Sequence, residues 1–371
     1  MFPLPPLIAA VLVALAALLV TYLPRPPWLV AVLAGARRAP PIGWLVIGVV
    51  LGPLLGVLDR PLIDALTPVV ACAIGWLAAG AAARLAAPVS GTAIREPWSA
   101  ADVAWLVAAF LIPAGLLYGA LRVLPPPFVP AWKPAWPVIA VLSASLALAA
   151  SPRAAAATGW SLLVTAAALL GYFPHARRSD VQPIALWLGF ALGGPLVGVL
   201  VARRLGRQTK TRAAATITAL CLAAGIGMAS GASPYLVCGL LGLALAKWGP
   251  GYERLADELA PTESTVGALL WFAAGVLAGG RFPAVYVAAL LLALWPALRR
   301  RFVAAVPATR HTLGLALALS FALTSTRSLG TESGAVVTAA ALALLVTSLV
   351  PLRSRAPAPL TSATPQPEVT V

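Results

Sequence analysis

The chain is a succession of apolar runs, most of them 16–22 residues long, joined by short connections that hold most of its Lys and Arg residues. Hydrophobic residues make up 61% of it and charged residues only 10%, with a mean hydropathy of +0.93. A soluble domain carries about a quarter charged residues and could not hide this much apolar surface, so the solvent is lipid. In lipid every backbone N–H and C=O must be satisfied within the spanning element, which leaves helices or a closed barrel. The runs show no two-residue alternation and match the length of a spanning helix. The fold class is therefore an all-α polytopic membrane protein.

Thirteen runs can be cut, at 4–24, 41–58, 62–83, 101–121, 136–150, 154–173, 183–201, 213–229, 233–248, 264–280, 283–298, 311–326 and 334–352. The first lacks a basic leader and is long enough to span, so it reads as a helix and not as a cleaved signal. Residues 27–36 are too short to span and read as interfacial or as an extension of the first helix. The net charge of +15 lies in clusters between runs, such as Arg203, Arg204, Arg207, Lys210 and Arg212. With no aromatic interleaving, this reads as topogenic charge and not as a nucleic-acid surface. Odd-numbered connections and the tail hold 19 of the 26 Lys and Arg residues, and even-numbered ones hold 7. The positive-inside rule then places the N-terminus outside and the C-terminus in the cytoplasm. The expected domains are a transmembrane domain over 1–352 and a disordered cytoplasmic tail over 353–371, rich in Pro, Ser, Thr and Ala.

Two stretches 193–195 residues apart repeat each other. Leu62–Pro68 reads L-I-D-A-L-T-P and leads to W-L-A-A-G at Trp76–Gly80; Leu255–Pro261 reads L-A-D-E-L-A-P and leads to W-F-A-A-G at Trp271–Gly275. Each is preceded by a Pro- and Gly-rich apolar span. The copies begin seven helices apart, and an odd offset makes them inverted, as in transporters whose site lies where the halves meet.

The third helix of each copy carries an interruption in its sequence. In the first, Ser143-Ala-Ser145 leads to Ser151-Pro152-Arg153; in the second, Ser320 leads to Thr324-Ser325-Thr326-Arg327, then Gly330 and Gly334. Proline removes a backbone donor, and Ser or Thr hydroxyls can re-satisfy the freed groups. A half-helix end at membrane depth exposes partial charge. Arg153 and Arg327 either neutralise such ends or bind an anion; otherwise they snorkel to the interface. The eleven carboxylates all fall in connections, helix ends or the tail, and Asp64 and Asp257 read as helix-start residues. Cys72, Cys221 and Cys238 form no CxxC pair and suggest neither a disulfide framework nor a zinc site. His175 and His311, beside arginines at the ends of runs, read as solvated. Gly225-Ile-Gly227-Met-Ala-Ser-Gly231 has the wrong spacing for a dinucleotide loop and reads as helix packing. No catalytic set, cofactor motif or metal cluster is legible, so an enzyme is not expected.

Several segments resemble the cation:proton antiporter superfamily, the Kef/NapA-like sodium or potassium exchangers. Pro40-Pro41-Ile-Gly43 through Gly48-Val-Val-Leu-Gly52-Pro53 is similar to the family's second helix. Ser230-Gly-Ala-Ser-Pro234 through Gly239-Leu-Leu-Gly-Leu-Ala-Leu-Ala246 is similar to its G-x-S-P-x-L-G helix, and Ala150-Ser151-Pro152 to the start of its unwound crossing helix. The match runs in order over roughly residues 1–352. It implies about 13 transmembrane helices in two inverted repeats with broken crossing helices, a homodimer, and exchange of a monovalent cation for protons across the cell inner (plasma) membrane. The chain departs from the family where an ion-binding aspartate would lie: the run 154–173 offers Thr158, Ser161 and Thr165 instead. Thr324-Ser-Thr-Arg327 likewise replaces an Arg-Gly-Glu-like segment, and no nucleotide-binding domain follows. The expected partners are the lipid bilayer and a monovalent cation with a proton, or another small solute. Ion-path candidates are Ser151, Pro152, Arg153, Thr158, Thr165, Thr324, Ser325, Thr326 and Arg327. The alternatives are an antiporter-fold carrier of another, anionic solute, or a transport-silent scaffold or sensor.

Overall fold

The structure, a computed structural model, describes residues 42–56, 58, 60–86, most of 111–119, 136–150, 184–206, 209–249, 252, 254–279, 308–329 and 332–349. The described chain is all-helical: α1 (Ile42–Val49, continued by a π-turn Val50–Leu54), α2 (Arg60–Ala86), α3 (Trp136–Ala150), α4 (Ile184–Leu205), α5 (Thr209–Ser230), α6 (Pro234–Trp248), α7 (Leu255–Leu259), α8 (Glu263–Val276), α9 (Ala308–Leu329) and α10 (Glu332–Leu349). A 3₁₀ turn, Ala260–Thr262, joins α7 to α8. Nine of the thirteen expected runs coincide with these helices. The runs at 4–24, 154–173 and 283–298, residues 27–36 and the tail lie outside the described residues, and 101–121 is described only in part.

Asp64–Leu85, Leu188–Leu205 and Thr211–Ser230 are long and apolar enough to cross a membrane. α4 shows the lipid logic most openly, because Leu188, Phe190, Leu192, Leu196, Val197 and Leu200 all point outward. Its inner face is instead cut back: Gly194 meets Val237 and Ile226, and Gly198 meets Leu241. Large apolar groups outside and glycines inside invert the pattern of a soluble helix, as expected where lipid supplies no hydrophobic drive for helix association.

The repeated segments interlock. α6, from the second copy, packs along α2, from the first, while α1 of the first copy packs along α8 of the second. Both crossings depend on absent side chains. A Cβ on Gly242 would fall 2.6 Å from the Cα of Ala79, and one on Gly75 would fall 2.5 Å from Cys238 Sγ. At the other crossing a Cβ on Gly48 would fall 2.9 Å from the Cα of Gly275, and one on Gly275 would fall 2.8 Å from the backbone N of Val49. Gly80 and Gly275, which end the W-x-A-A-G segments, thus flank or form the contact points. α3 and α9, the third helices of the copies, also cross, with Gly314 against the Ser145 backbone.

The π-turn at the end of α1 has a local cause. Pro53 has no N–H to donate and its ring would clash with the carbonyl four residues back, so the helix widens. Leu55 then donates to Val50 O at 2.9 Å, and Gly56, at φ 60, donates to Gly52 O at 2.8 Å.

Gly242→Ala places a methyl group inside the Ala79 backbone and should cost about 1–3 kcal/mol through forced helix separation. Gly189→Ala, where nothing lies within 4 Å, is its control. Thermal unfolding of the detergent-purified protein checks this: the first variant should melt earlier and the second should not.

Candidate functional site

Where α2 meets the start of α8, the two copies exchange their most polar contacts. Glu263 opens α8 directly after the 3₁₀ turn, and Arg84 lies in the last turn of α2. The Arg84 guanidinium donates to Glu263 Oε1 in a salt bridge. Glu263 is 9% exposed and Arg84 39%, so the carboxylate is inside and the guanidinium reaches it from the edge. Gly80 makes room: a Cβ there would sit 3.3 Å from Glu263 Oε1 and 3.6 Å from Leu259 Cδ1. A carboxylate at a helix N-terminus also meets free backbone donors and the positive end of the dipole.

The tryptophans of the repeated W-x-A-A-G segments perform the same task in each copy. Trp76 Nε1 donates to Thr262 Oγ1 at 2.8 Å, and Thr262 donates in turn to Leu259 O at 2.8 Å. Trp271 Nε1 donates to Thr312 Oγ1 at 3.4 Å in the buried core. Each indole ties its helix to a threonine on another element; the Trp271 bond satisfies a buried donor, and the Trp76 bond lies at the surface. The Trp76 bond fixes the 3₁₀ turn beside Glu263.

A second polar point lies at the start of α6. Ser233 is a buried N-cap with φ 68 and ψ 123. Pro234 demands an extended ψ from the residue before it, and the tight reversal after Gly231, at φ 71, demands the positive φ. Such backbone persists only where its surroundings over-determine it. Here Ser233 Oγ lies 2.6 Å from Ser320 Oγ on α9, and Ser320 Oγ accepts from Tyr235 N at 3.3 Å. Gly227 packs on the Ser233–Pro234 backbone, which agrees with a packing role for the glycine-rich segment. On α3, the buried Ser143 hydroxyl has no hydrogen-bond partner among the described residues.

The sequence-derived candidates fare unevenly. Ser151, Pro152, Arg153, Thr158 and Thr165 lie outside the described residues. The interruption expected at Thr324–Arg327 is corrected: α9 runs unbroken through Thr324, Ser325, Thr326 and Arg327 to Leu329. The hydroxyls support the helix in place of breaking it, Thr324 donating to Ser320 O at 2.9 Å and Ser325 to Phe321 O at 2.5 Å. His311, expected in solvent, is 1% exposed because it follows the start of a helix whose next turns are fully packed. Asp257 stands in the first turn of α7 as expected, whereas Asp64 is the fifth residue of α2; both are exposed. The Arg84–Glu263 pair was not legible as a site. Its only sequence trace is position, since Arg84 follows one W-x-A-A-G segment by a turn and Glu263 precedes the other.

At another edge, Tyr252 donates to Ala202 O at 3.2 Å, and Arg212 lies over its ring at 5.7 Å. Burial pushes its phenol up, offset in part by a Thr216 hydrogen bond and the Arg212 charge. The Arg203 guanidinium donates to Trp248 O beside it. This cluster clamps the α4–α5 turn to the α6–α7 connection.

Arg84→Ala leaves Glu263 buried without its cation and should destabilise by about 1–3 kcal/mol, less than for a fully buried pair because water reaches Arg84. Arg84→Ala combined with Glu263→Leu should recover most of that loss. Equal melting temperatures for the single and double variants would refute a penalty centred on the carboxylate. Comparison with protein-family models, curated proteins and solved structures finds no match.

Proposed function

We propose that the protein is a secondary transporter that exchanges sodium or potassium for protons, with Glu263 as the exchanging carboxylate. One observation carries this reading: a buried carboxylate, held by a half-exposed arginine, where a helix of one copy meets the 3₁₀ break of the other. A carboxylate can satisfy its charge with a guanidinium, a proton or a hard cation, and these occupants exclude one another. Displacing Arg84 from Glu263 would free the carboxylate for either ion. The Thr262 hydroxyl and Leu259 carbonyl, linked at 2.8 Å one and four residues before it, would supply the neutral oxygens that a hard cation prefers. The 3₁₀ turn is the irregularity at which α8 would tilt against α7.

The reciprocal crossing of repeated helices supports an inverted-repeat plan, in which the moving boundary lies between copies. In this reading the protein is a multi-pass homodimer of the inner membrane, with an external N-terminus, a cytoplasmic C-terminus and the antiporter fold. The departure from the family's usual acid position is then a relocation: the carboxylate stands at the start of α8 and not on the helix after the crossing.

Everted vesicles energised to an acid interior report exchange as collapse of the pH gradient on adding sodium or potassium. Collapse is expected with one or both ions in the wild type, at vesicle background in Glu263→Gln, and largely retained in Glu263→Asp. Wild-type vesicles that respond to neither ion would overturn antiport. A fully active Glu263→Gln would overturn the assignment of the carboxylate alone.

A further inference from the structure

α4 and α6 end side by side, and their ends carry a basic cluster joined to an exposed indole. The Arg203 guanidinium donates to the backbone carbonyl of Trp248, which fixes the end of one helix to the end of the other. Farther in, Gly198 of α4 packs on Leu241 of α6. Arg203, Arg204, Lys247 and Trp248 are all exposed, and Lys247 Nζ lies 5.5 Å from the centre of the Trp248 ring. Among the described residues of this end, Arg203, Arg204, Arg212, Lys247 and Arg254 stand against only Asp257 and Glu258. Glu258 is engaged by Arg212 at 4.0 Å, and no described carboxylate pairs with Arg203, Arg204 or Lys247. The C-terminal ends of α4 and α6 bring about half a negative charge each, too little to balance the excess.

We propose that this end of α4 and α6 binds the phosphate headgroup of an anionic phospholipid, with an acyl chain lying along α4. Charge alone would accept any anion; the stripe that leads to the cluster selects a lipid. Leu192, Leu196, Leu200 and Arg204 recur every fourth residue, so they share one face of α4, and all four are exposed. At a rise of about 1.5 Å per residue, Leu192 lies roughly 18 Å from Arg204 along the helix, close to the ~15 Å depth of one hydrocarbon leaflet. A chain that runs beside the leucines therefore delivers its phosphate to the arginine. Trp248, 62% exposed, marks the level of the headgroups, since an indole prefers the membrane–water interface. Arg203 has guanidinium donors left after its bond to Trp248 O, and Lys247 adds a third charge over the indole. Both connections that meet here are odd-numbered, so the charge count along the chain assigns the site to the cytoplasmic leaflet. A lipid held there ties α4 to α6 at the surface, where the glycine contact between them has ended.

Native mass spectrometry of the full-length protein in detergent, titrated with phosphatidylglycerol or with phosphatidylcholine of the same acyl chains, reads the affinity of the first bound lipid. The wild type should bind phosphatidylglycerol about tenfold or more tightly than phosphatidylcholine. Arg204→Gln and Lys247→Gln should each weaken phosphatidylglycerol about fivefold, the effect of one basic residue at an anionic headgroup, and together about twenty-five-fold. Phosphatidylcholine binding should not change. Both side chains are exposed, so these variants should keep the wild-type melting temperature. Arg353→Gln combined with Arg355→Gln removes the same charge from the tail and should alter the affinity less than about twofold, as expected of a local site. Soluble glycerol phosphate, which has the anion without the chain, should not displace the lipid. The proposal is overturned if the wild type does not prefer phosphatidylglycerol, or if the Arg204/Lys247 double variant binds it as tightly as the wild type. An equal loss in the tail variant would reduce the effect to net charge, and competition by glycerol phosphate would make the site one for free anions; either result also overturns it. None of these readings depends on transport.

Discussion

Backbone-to-backbone contact at three glycines, Gly48, Gly242 and Gly275, holds the described helices in their arrangement. Gly48 against Gly275, and Gly242 against Ala79 of α2, let the paired axes approach until main-chain atoms touch, while Gly75 leaves room for the Cys238 side chain. In lipid this closeness replaces the hydrophobic effect, because dispersion between surfaces in contact is what tail–helix contacts cannot match. The exposed leucines of α4 gain nothing from burial and stay outside. Everything polar in the interior is then placed by where these crossings bring carbonyls, hydroxyls and charges together.

Several buried and half-buried hydroxyls are satisfied by short local devices. Ser145, Thr216, Ser230, Thr324 and Ser325 donate to carbonyls three or four residues back, which costs the helices little and removes their hydroxyls from the hydrocarbon. Four long-range hydrogen bonds between side chains stand apart from this background. They join Trp76 to Thr262, Trp271 to Thr312, Ser233 to Ser320 and Arg84 to Glu263. Each connects elements distant in sequence, and three of the four involve a W-x-A-A-G helix.

Helix existence was legible in the residues because long apolar runs leave no other solution in lipid, and nine runs coincide with described helices. The repeat was legible too, and it pointed to helices that do interlock. Side-chain partnership was not. Thr324-Ser-Thr-Arg327 looked like a break because hydroxyls and a charge interrupt an apolar run, yet each described hydroxyl finds a carbonyl within its own helix. Glu263 looked like an ordinary helix-end acid, because one-dimensional spacing cannot tell that Gly80 leaves a recess there and that Arg84 stands beside it.

The cap of α6 bears on the order of assembly. Its Ser233 lies 87 residues before Ser320, the hydroxyl that completes it, and the two meet only once α9 is in place. During synthesis α5 and α6 can enter the membrane as a hairpin, but the reversal between them then holds an unfavourable φ without the bond that sustains it. The hairpin is therefore free to sample other turns until the later helix arrives. Arrival of α9 selects one, so the last third of the polypeptide sets the geometry of a turn made well before it.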